Sequence, residues 1–164
     1  MTDTDVRRLG PDDWRAWRDV RLAALADAPE AFGSSLERES AYTDDDWRAW
    51  LDPAKGLKAI AGPGGAAGLI GVWTPPDRAA EIYSMWVAPQ WRGRGVGDRL
   101  IAEAVAWAAE RRHPHVDLWV VGDNDPAARL YRRHGFRDTG ETQPHPRDAG
   151  VLERAMRLEL NAGQ

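Results

Sequence analysis

The sequence predicts an α/β (α+β) domain, with a mixed sheet of six to seven strands flanked by about four helices. Three observations carry this expectation. Short strand-like runs alternate with longer stretches at helical spacing, in the order strand, helices, strands, then strand–helix–strand–helix–strands. One junction, Val87 to Leu100 (V-A-P-Q-W-R-G-R-G-V-G-D-R-L), joins an apolar strand to an amphipathic helix through a loop with three glycines. At 164 residues and 43% hydrophobic content, the chain has the length and core-forming material of one domain, taken as 1–164.

The elements follow in order. Val6 to Leu9 is a short first strand. Gly10-Pro11-Asp12-Asp13 opens a helix, with acids in its first turn. Trp14, Trp17, Val20, Ala24 and Leu25 recur at helical spacing to about Ala26, and Ala28-Pro29 breaks the pattern. Thr43 with Asp44, Asp45 and Asp46 caps a second helix that runs to about Leu51. Leu57 to Ala61 and Ala66 to Trp73 form a hairpin around Gly62-Pro63-Gly64-Gly65. A turn at Pro75-Pro76-Asp77 leads into the strand Glu81 to Val87. From Val96 to about Arg111, Leu100, Ile101, Ala104, Val105 and Ala108 make one apolar face. Val116 to Val121 is a buried strand. Asp125-Pro126 starts a last helix that stops at Gly135. Phe136 to Glu141 and Val151 to Leu160 close the sheet, with a polar loop from Thr142 to Gly150 between them.

Composition narrows the function classes. No stretch approaches the about 18 apolar residues of a membrane span. The acidic start Met1-Thr-Asp-Thr-Asp lacks the basic and apolar regions of a signal peptide. The chain has no cysteine, so thiolate nucleophiles, disulfides and Cys-based zinc sites are excluded. A cytoplasmic protein is the default expectation. The net charge of −4 argues against a nucleic-acid binder, despite Arg92, Arg94, Arg99, Arg129, Arg132 and Arg133. The basic residues are nearly all arginine; Lys55 and Lys58 are the only lysines.

Gly93, Gly95 and Gly97 lack Cβ atoms, so the backbone can turn tightly and an anion can approach its N–H groups. The following helix begins with unpaired N–H groups and a partial positive charge. Together these form a site for a phosphate or pyrophosphate. No P-loop pattern is present. The dinucleotide fingerprint G-x-G-x-x-G fails because Asp98 stands where its third glycine belongs. A glycine-rich strand–helix turn without a ligand stays open on the loop alone.

What fits is Arg92-x-x-Gly95-x-Gly97 after a strand ending in V-x-P. It resembles the pyrophosphate loop of the GNAT superfamily of acetyl-CoA-dependent N-acetyltransferases. Asn124-x-x-Ala127-x-x-Leu130-Tyr131-x-x-x-Gly135-Phe136 is similar to another common segment of that family. Leu22 to Glu39 is similar to the start of many bacterial members. The resemblance runs over nearly the whole chain and implies a mostly antiparallel sheet.

It also implies direct transfer of an acetyl group from acetyl-CoA to a primary amine, with no metal. The acceptor is a small molecule, a peptide N-terminus or a lysine. The N–H groups from Arg92 through Gly93, Arg94, Gly95, Val96 and Gly97 would hold the pyrophosphate, at about 1.5–3 kcal/mol per hydrogen bond to a charged group. The main chain of Trp86 and Val87 would receive the pantetheine arm like an added strand, with an N–H near Val87 polarising the thioester. Asn124 and Ala128 match positions lining the far side of the arm; Asn124 is equally suited to a turn or cap.

Only the free amine attacks, and a positioned carboxylate can take its proton. Glu81 is the first candidate. It stands six residues before Val87, an even offset that puts both on one strand face. The family's histone-acetylating members carry a glutamate in a similar E-I-x-x-x-x-V context. The alternative for Glu81 is a solvated strand start. Glu37 and Glu39 are further candidates for a base or for binding a cationic substrate. Tyr131 matches the family's tyrosine and suits a proton donor to the departing thiolate. Its alternative is core packing.

His113, His115, His134 and His145 show no metal-ligand spacing and are read as solvated structural residues. Trp14, Trp17, Trp47 and Trp50 are read as helix packing, and Trp73 and Tyr83 as core residues with an acceptor pocket as the alternative. The rival function is an acetyl-CoA-binding sensor or interaction module without catalysis. A homodimer is compatible with the sheet edge that closing strands leave.

Overall fold

The computed structural model describes residues 5–160. The acidic segment Met1 to Thr4 lies outside them. A seven-stranded sheet has the order β1-β2-β3-β4-β5-β7-β6. Its strands are β1 (Val6–Arg8), β2 (Leu57–Ala61), β3 (Gly68–Trp73), β4 (Ala80–Val87), β5 (His115–Val121), β6 (Arg137–His145) and β7 (Asp148–Glu159). Only β4 and β5 pair in parallel. The crossover that a parallel pair requires is α4 (Val96–Glu110).

Helices α1 (Trp14–Asp27), α2 (Leu36–Ser40) and α3 (Asp44–Trp50) precede β2, and α5 (Asp125–Arg133) follows β5. Thr43 caps α3 as its sequence implied: Thr43 Oγ1 accepts from Asp46 N at 3.1 Å, and Asp46 Oδ2 accepts from Thr43 N at 2.9 Å. The described residues hold five α-helices rather than about four. The extra one, α2, is a single short turn whose N-cap Ser35 accepts from Arg38 N at 3.1 Å. With Leu36 39% exposed, it offers too short an apolar repeat to be read from periodicity.

Two cores lie on opposite faces of the sheet. One joins Leu100, Ile101, Ala104 and Trp107 of α4 to Ile70, Val72, Ile82, Val116 and Leu118. The other joins Trp14, Trp17, Val20, Leu25, Trp47 and Leu51 to Ile60, Leu69 and Trp86. The tryptophans interlock there: Trp17 meets Trp50 edge-on with centroids 5.6 Å apart, and Trp47 stacks on Trp50 at 5.6 Å.

The closing hairpin departs from the sequence expectation. The segment read as a loop, Thr142 to Gly150, mostly continues the ladder: β6 runs to His145 and β7 starts at Asp148. β6 is an edge strand exposed along most of its length, so it needs no apolar alternation and tolerates Pro144. His145 is buried rather than solvated. Its Nε2 lies 3.1 Å from Glu30 O, and its Nδ1 accepts from Arg147 N at 3.1 Å.

Candidate active site

The site begins where β4 and β5 part. Their ladder pairs Ala80 with Val116, Glu81 with Asp117 and Ile82 with Leu118, and ends there. β4 continues to Val87, so the β5-facing edge of its second half has no ladder partner and can accept an extended chain.

A β-bulge sits at the same point. On β3, Gly71 pairs with Ser84 and Val72 with Ile82, so Tyr83 is the extra residue. The bulge breaks the strand's parity. Ile82, Met85 and Val87 all pack on the α4 core, while Trp86 belongs to the α1–α3 core. Glu81 and Val87 therefore lie on opposite faces, which corrects the even-offset expectation. Tyr83 lies over Gly71, where an added Cβ would come within 2.6 Å of its ring.

The glycine loop closes the far end of the parted strands. Gly93 (φ +77°) and Gly95 (φ +80°) have left-handed backbones, and a Cβ on either would meet nothing within 4 Å. Gly95 is the N-cap of α4, which has no side-chain cap. Its first N–H groups thus have no capping side chain, the arrangement that suits an anion. Gly97 serves packing instead: its Cβ would stand 3.1 Å from Leu130 Cδ2, so it lets α4 approach α5.

The side chains near the loop are already engaged. Arg92 Nε donates to Val87 O at 3.0 Å, and its Nη2 donates to Asp27 Oδ2 at 2.9 Å. Trp86 Nε1 donates to the same carboxylate oxygen at 2.9 Å. Arg94 rests over Trp91, 5.4 Å from its centroid. Asp98 takes hydrogen bonds from His134 (2.8 Å) and Arg133 (2.9 Å). Burial pushes its carboxyl up, and the hydrogen bonds from His134 and Arg133, with the Arg133 charge, outweigh that and leave its pKa below the ordinary value. Val96 is buried in the α4 core.

On α5, Asn124 is the N-cap: its Oδ1 accepts from Ala127 N at 3.3 Å, the cap role left open by sequence. Ala128 is fully buried. Tyr131 is 8% exposed and meets Phe136 edge-on at 5.9 Å. Burial pushes its phenol up to about 12, so it stays protonated across the physiological range.

Glu81 opens on the opposite side, into two adjoining hollows of about 590 and 630 Å³. They share Trp50, Trp73, Glu81 and Tyr83. Tyr131 is in the wall of neither. Glu81 Oε2 accepts from Trp73 Nε1 at 3.1 Å. Burial raises the carboxyl's pKa above the ordinary 4.5, with Asp117 adding to the rise and the Trp73 and Trp119 indoles opposing it. A half-buried carboxylate with a raised pKa is the form a general base needs. Trp73, at 40% exposure, is a pocket wall rather than core; Tyr83 lines the pocket too, and Trp50 both lines it and packs on the α1–α3 core.

Sequence reasoning missed the support of this pocket. Arg21 Nε and Nη2 donate to the two carboxylate oxygens of Glu39 at 2.8 and 2.9 Å, and Nη1 donates to Ser84 Oγ. This buried pair ties α1, α2 and β4 together, and it occupies Glu39, one of the earlier candidate bases. Glu37 is exposed on α2 and lines neither hollow. Lys58 lies buried on β2 opposite Gly71, its Nζ 5.9 Å from the Tyr83 centroid. Burial, and then the charge of Lys55, lowers its pKa to about 8. In the sequence Lys58 registered only as one of two lysines. Among the described residues no group of three or more His, Asp or Glu is placed to hold a metal ion, and no helix is long and apolar enough to cross a membrane.

Known proteins resemble this chain in both sequence and fold. The sequence pattern of the acetyltransferase (GNAT) family matches residues 17–136. The mycothiol acetyltransferase of Clavibacter sepedonicus is 38% identical over 128 residues, covering 77% of this chain and 40% of the relative. The chain thus spans less than half the length of this and other curated relatives. Nourseothricin acetyltransferase superposes with a TM-score of 0.58 at 30% identity, over 66% of this chain and 67% of that one. A GNAT-family acetyltransferase from Streptococcus pneumoniae superposes with a TM-score of 0.76 over 96% of this chain and 99% of the other; at 18% identity it bears on the fold alone.

Proposed function

Since this chain belongs to the acetyltransferase (GNAT) family, we propose that it is an N-acetyltransferase that moves the acetyl group of acetyl-CoA directly to a primary amine. The observation that carries the reading is the parting of β4 and β5, with an unpartnered strand edge along it and an uncapped, glycine-lined helix start at its end. An extended arm ending in a pyrophosphate matches both in shape and in charge.

The N–H groups from Gly93 to Gly97 hold the pyrophosphate. The main chain of Trp86 and Val87 holds the arm; Ala128, expected from the sequence to line it, has no exposed surface and packs in the α4 core instead. The bulge aims Glu81 across the sheet from Val87, so the base waits on the acceptor's side. Glu81, directly or through one water, takes the proton that the amine loses as its nitrogen bonds to the acetyl carbon. The carbon–sulfur bond breaks, and Tyr131 delivers a proton to the leaving thiolate. Bringing the two reactants together in line supplies much of the rate. The cytoplasm, which supplies acetyl-CoA, is the proposed compartment. A homodimer through the exposed β6 edge belongs to the same reading.

The test is release of free CoA thiol across a panel of amines. Turnover above the hydrolysis rate with at least one amine supports the reading. Binding of acetyl-CoA with no amine-dependent release refutes it.

A further inference from the structure

The hollows that adjoin Glu81 differ in how their charges are met. On the α2 side the buried Arg21 and Glu39 neutralise each other, while Arg38, Arg78 and Glu141 line the hollow as exposed charges. Gln143 Nε2 donates to Glu153 at 3.0 Å. On the β2 side stands Lys58, 3% exposed, with no hydrogen bond or ion pair among the described residues. Its neighbour there is the face of the Tyr83 ring. Removing an ammonium from water is costly, and the lowered pKa of Lys58 reflects that cost and the repulsion of Lys55, which the charge of Asp52 offsets only in part. Lys55 lines the same hollow. In a chain whose other basic residues are all arginine, both lysines stand at this one place.

The same hollow is walled by Glu81, Trp50, Trp73 and Tyr83. A buried cation that no hydrogen bond or ion pair meets among the described residues therefore shares one cavity with the proposed base. The sheet register sets their spacing. Lys58 pairs with Gly71 and Glu81 with Trp73, so their Cα atoms stand two strands and two residues apart, roughly 12 Å. The two side chains and a small amino acid together fill that span.

We propose that the acceptor is an amine that also carries a carboxylate, with its carboxylate seated on Lys58 and its amine toward Glu81. The inference rests on the acetyl-transfer reading and names the substrate class of that site. Lys58 acts in recognition: it supplies the counter-charge, and the aromatic walls keep water from screening the pair. The Lys58 cation, costly on its own, gains its partner only in the complex, which favours the acid over its uncharged analogue.

Glycine, β-alanine and phenylalanine, each beside its primary amide, are offered with acetyl-CoA to the wild-type protein, Lys58→Met and Lys58→Arg. At least one acid should be preferred over its amide by about tenfold to a hundredfold in kcat/KM, the worth of a hydrogen bond to a charged group. Lys58→Met should erase the preference by raising KM for the acid while leaving the amide's kinetics in place. Lys58→Arg should keep part of it. Lys58→Met should fold at least as stably as the wild type, because it removes a buried unpaired charge at similar volume. Amides used as well as acids by the wild type, or equal losses for both in Lys58→Met, would overturn the proposal. Failure of acetyl transfer itself shows separately, as no thiol release with any amine. Calorimetric titration of the same acids and amides into wild type and Lys58→Met then decides on Lys58 alone, and equal affinities would refute it.

Discussion

Replacing Glu39 with glutamine tests how the acceptor pocket is held. Arg21 is 4% exposed and Glu39 1%. Their bidentate contact, at 2.8 and 2.9 Å, is the only counter-charge that Arg21 contacts among the described residues. Glu39→Gln keeps the shape but leaves a buried guanidinium without an anion, and it turns an amide NH₂ toward guanidinium N–H groups. Breaking a buried pair on one side costs about 3–5 kcal/mol. For a chain of this length, 1 kcal/mol moves Tm by about 2–4 °C, so the melting point should fall by roughly 6–20 °C. The surroundings soften this somewhat, since Arg21 also lies over Phe32 (4.7 Å) and Trp50 (5.1 Å). The double variant Arg21→Met/Glu39→Gln removes the stranded charge and should recover at least half of the loss. Equilibrium urea unfolding, with calorimetry for Tm, gives all three values on one scale. A Glu39→Gln protein within about 1 kcal/mol of wild type, the median for an exposed ion pair, would refute the reasoning. So would a double variant no more stable than the single.

Further expectations concern the chemistry. Glu81→Gln should lower kcat/KM by about 10²–10⁴ while acetyl-CoA still binds. Because the base works deprotonated and its pKa is raised, wild-type activity should fall with decreasing pH through a limb above 4.5; a limb at or below that value would count against Glu81. Tyr131→Phe should reduce kcat about a hundredfold with Tm nearly unchanged, and unaltered turnover would leave Tyr131 a packing residue. Gly95→Ala forces alanine into a left-handed backbone at about 1–2 kcal/mol and should weaken acetyl-CoA binding by calorimetric titration. Arg92→Ala should cost more in stability than in acetyl-CoA affinity, because its guanidinium is committed to Asp27 and the Val87 carbonyl. The reverse ranking would place that side chain on the pyrophosphate.

The element order, the β2–β3 hairpin, the capped α3 and the glycine loop could be read from the chain because each is set by neighbours in sequence. Helical spacing, a Thr-to-Asp capping box and glycines between a strand and a helix are local devices. The same holds for the family resemblance, which rests on contiguous segments. The α2 turn and the continuation of β6 and β7 escaped because neither needs an apolar period. One is a single turn, and the other an exposed edge.

The site was only half legible. Glu81 and Tyr131 stood out by residue type and context, but which way Glu81 faces depends on a bulge at Tyr83, and a bulge is a property of two strands. Counting residues along β4 alone gave the wrong face. The Arg92 N–H read as a pyrophosphate donor, but in the fold it closes a turn onto Pro89 O at 3.3 Å, and the side chain reaches Asp27, 65 residues away, at 2.9 Å. Arg21 with Glu39, and Lys58 buried with no ion pair among the described residues, are likewise facts of burial. The chain by itself determined where an anion can be cradled, since backbone freedom and helix polarity are written locally. Tertiary structure alone decided which charges are paired and which are left waiting, since desolvation depends on what distant segments cover.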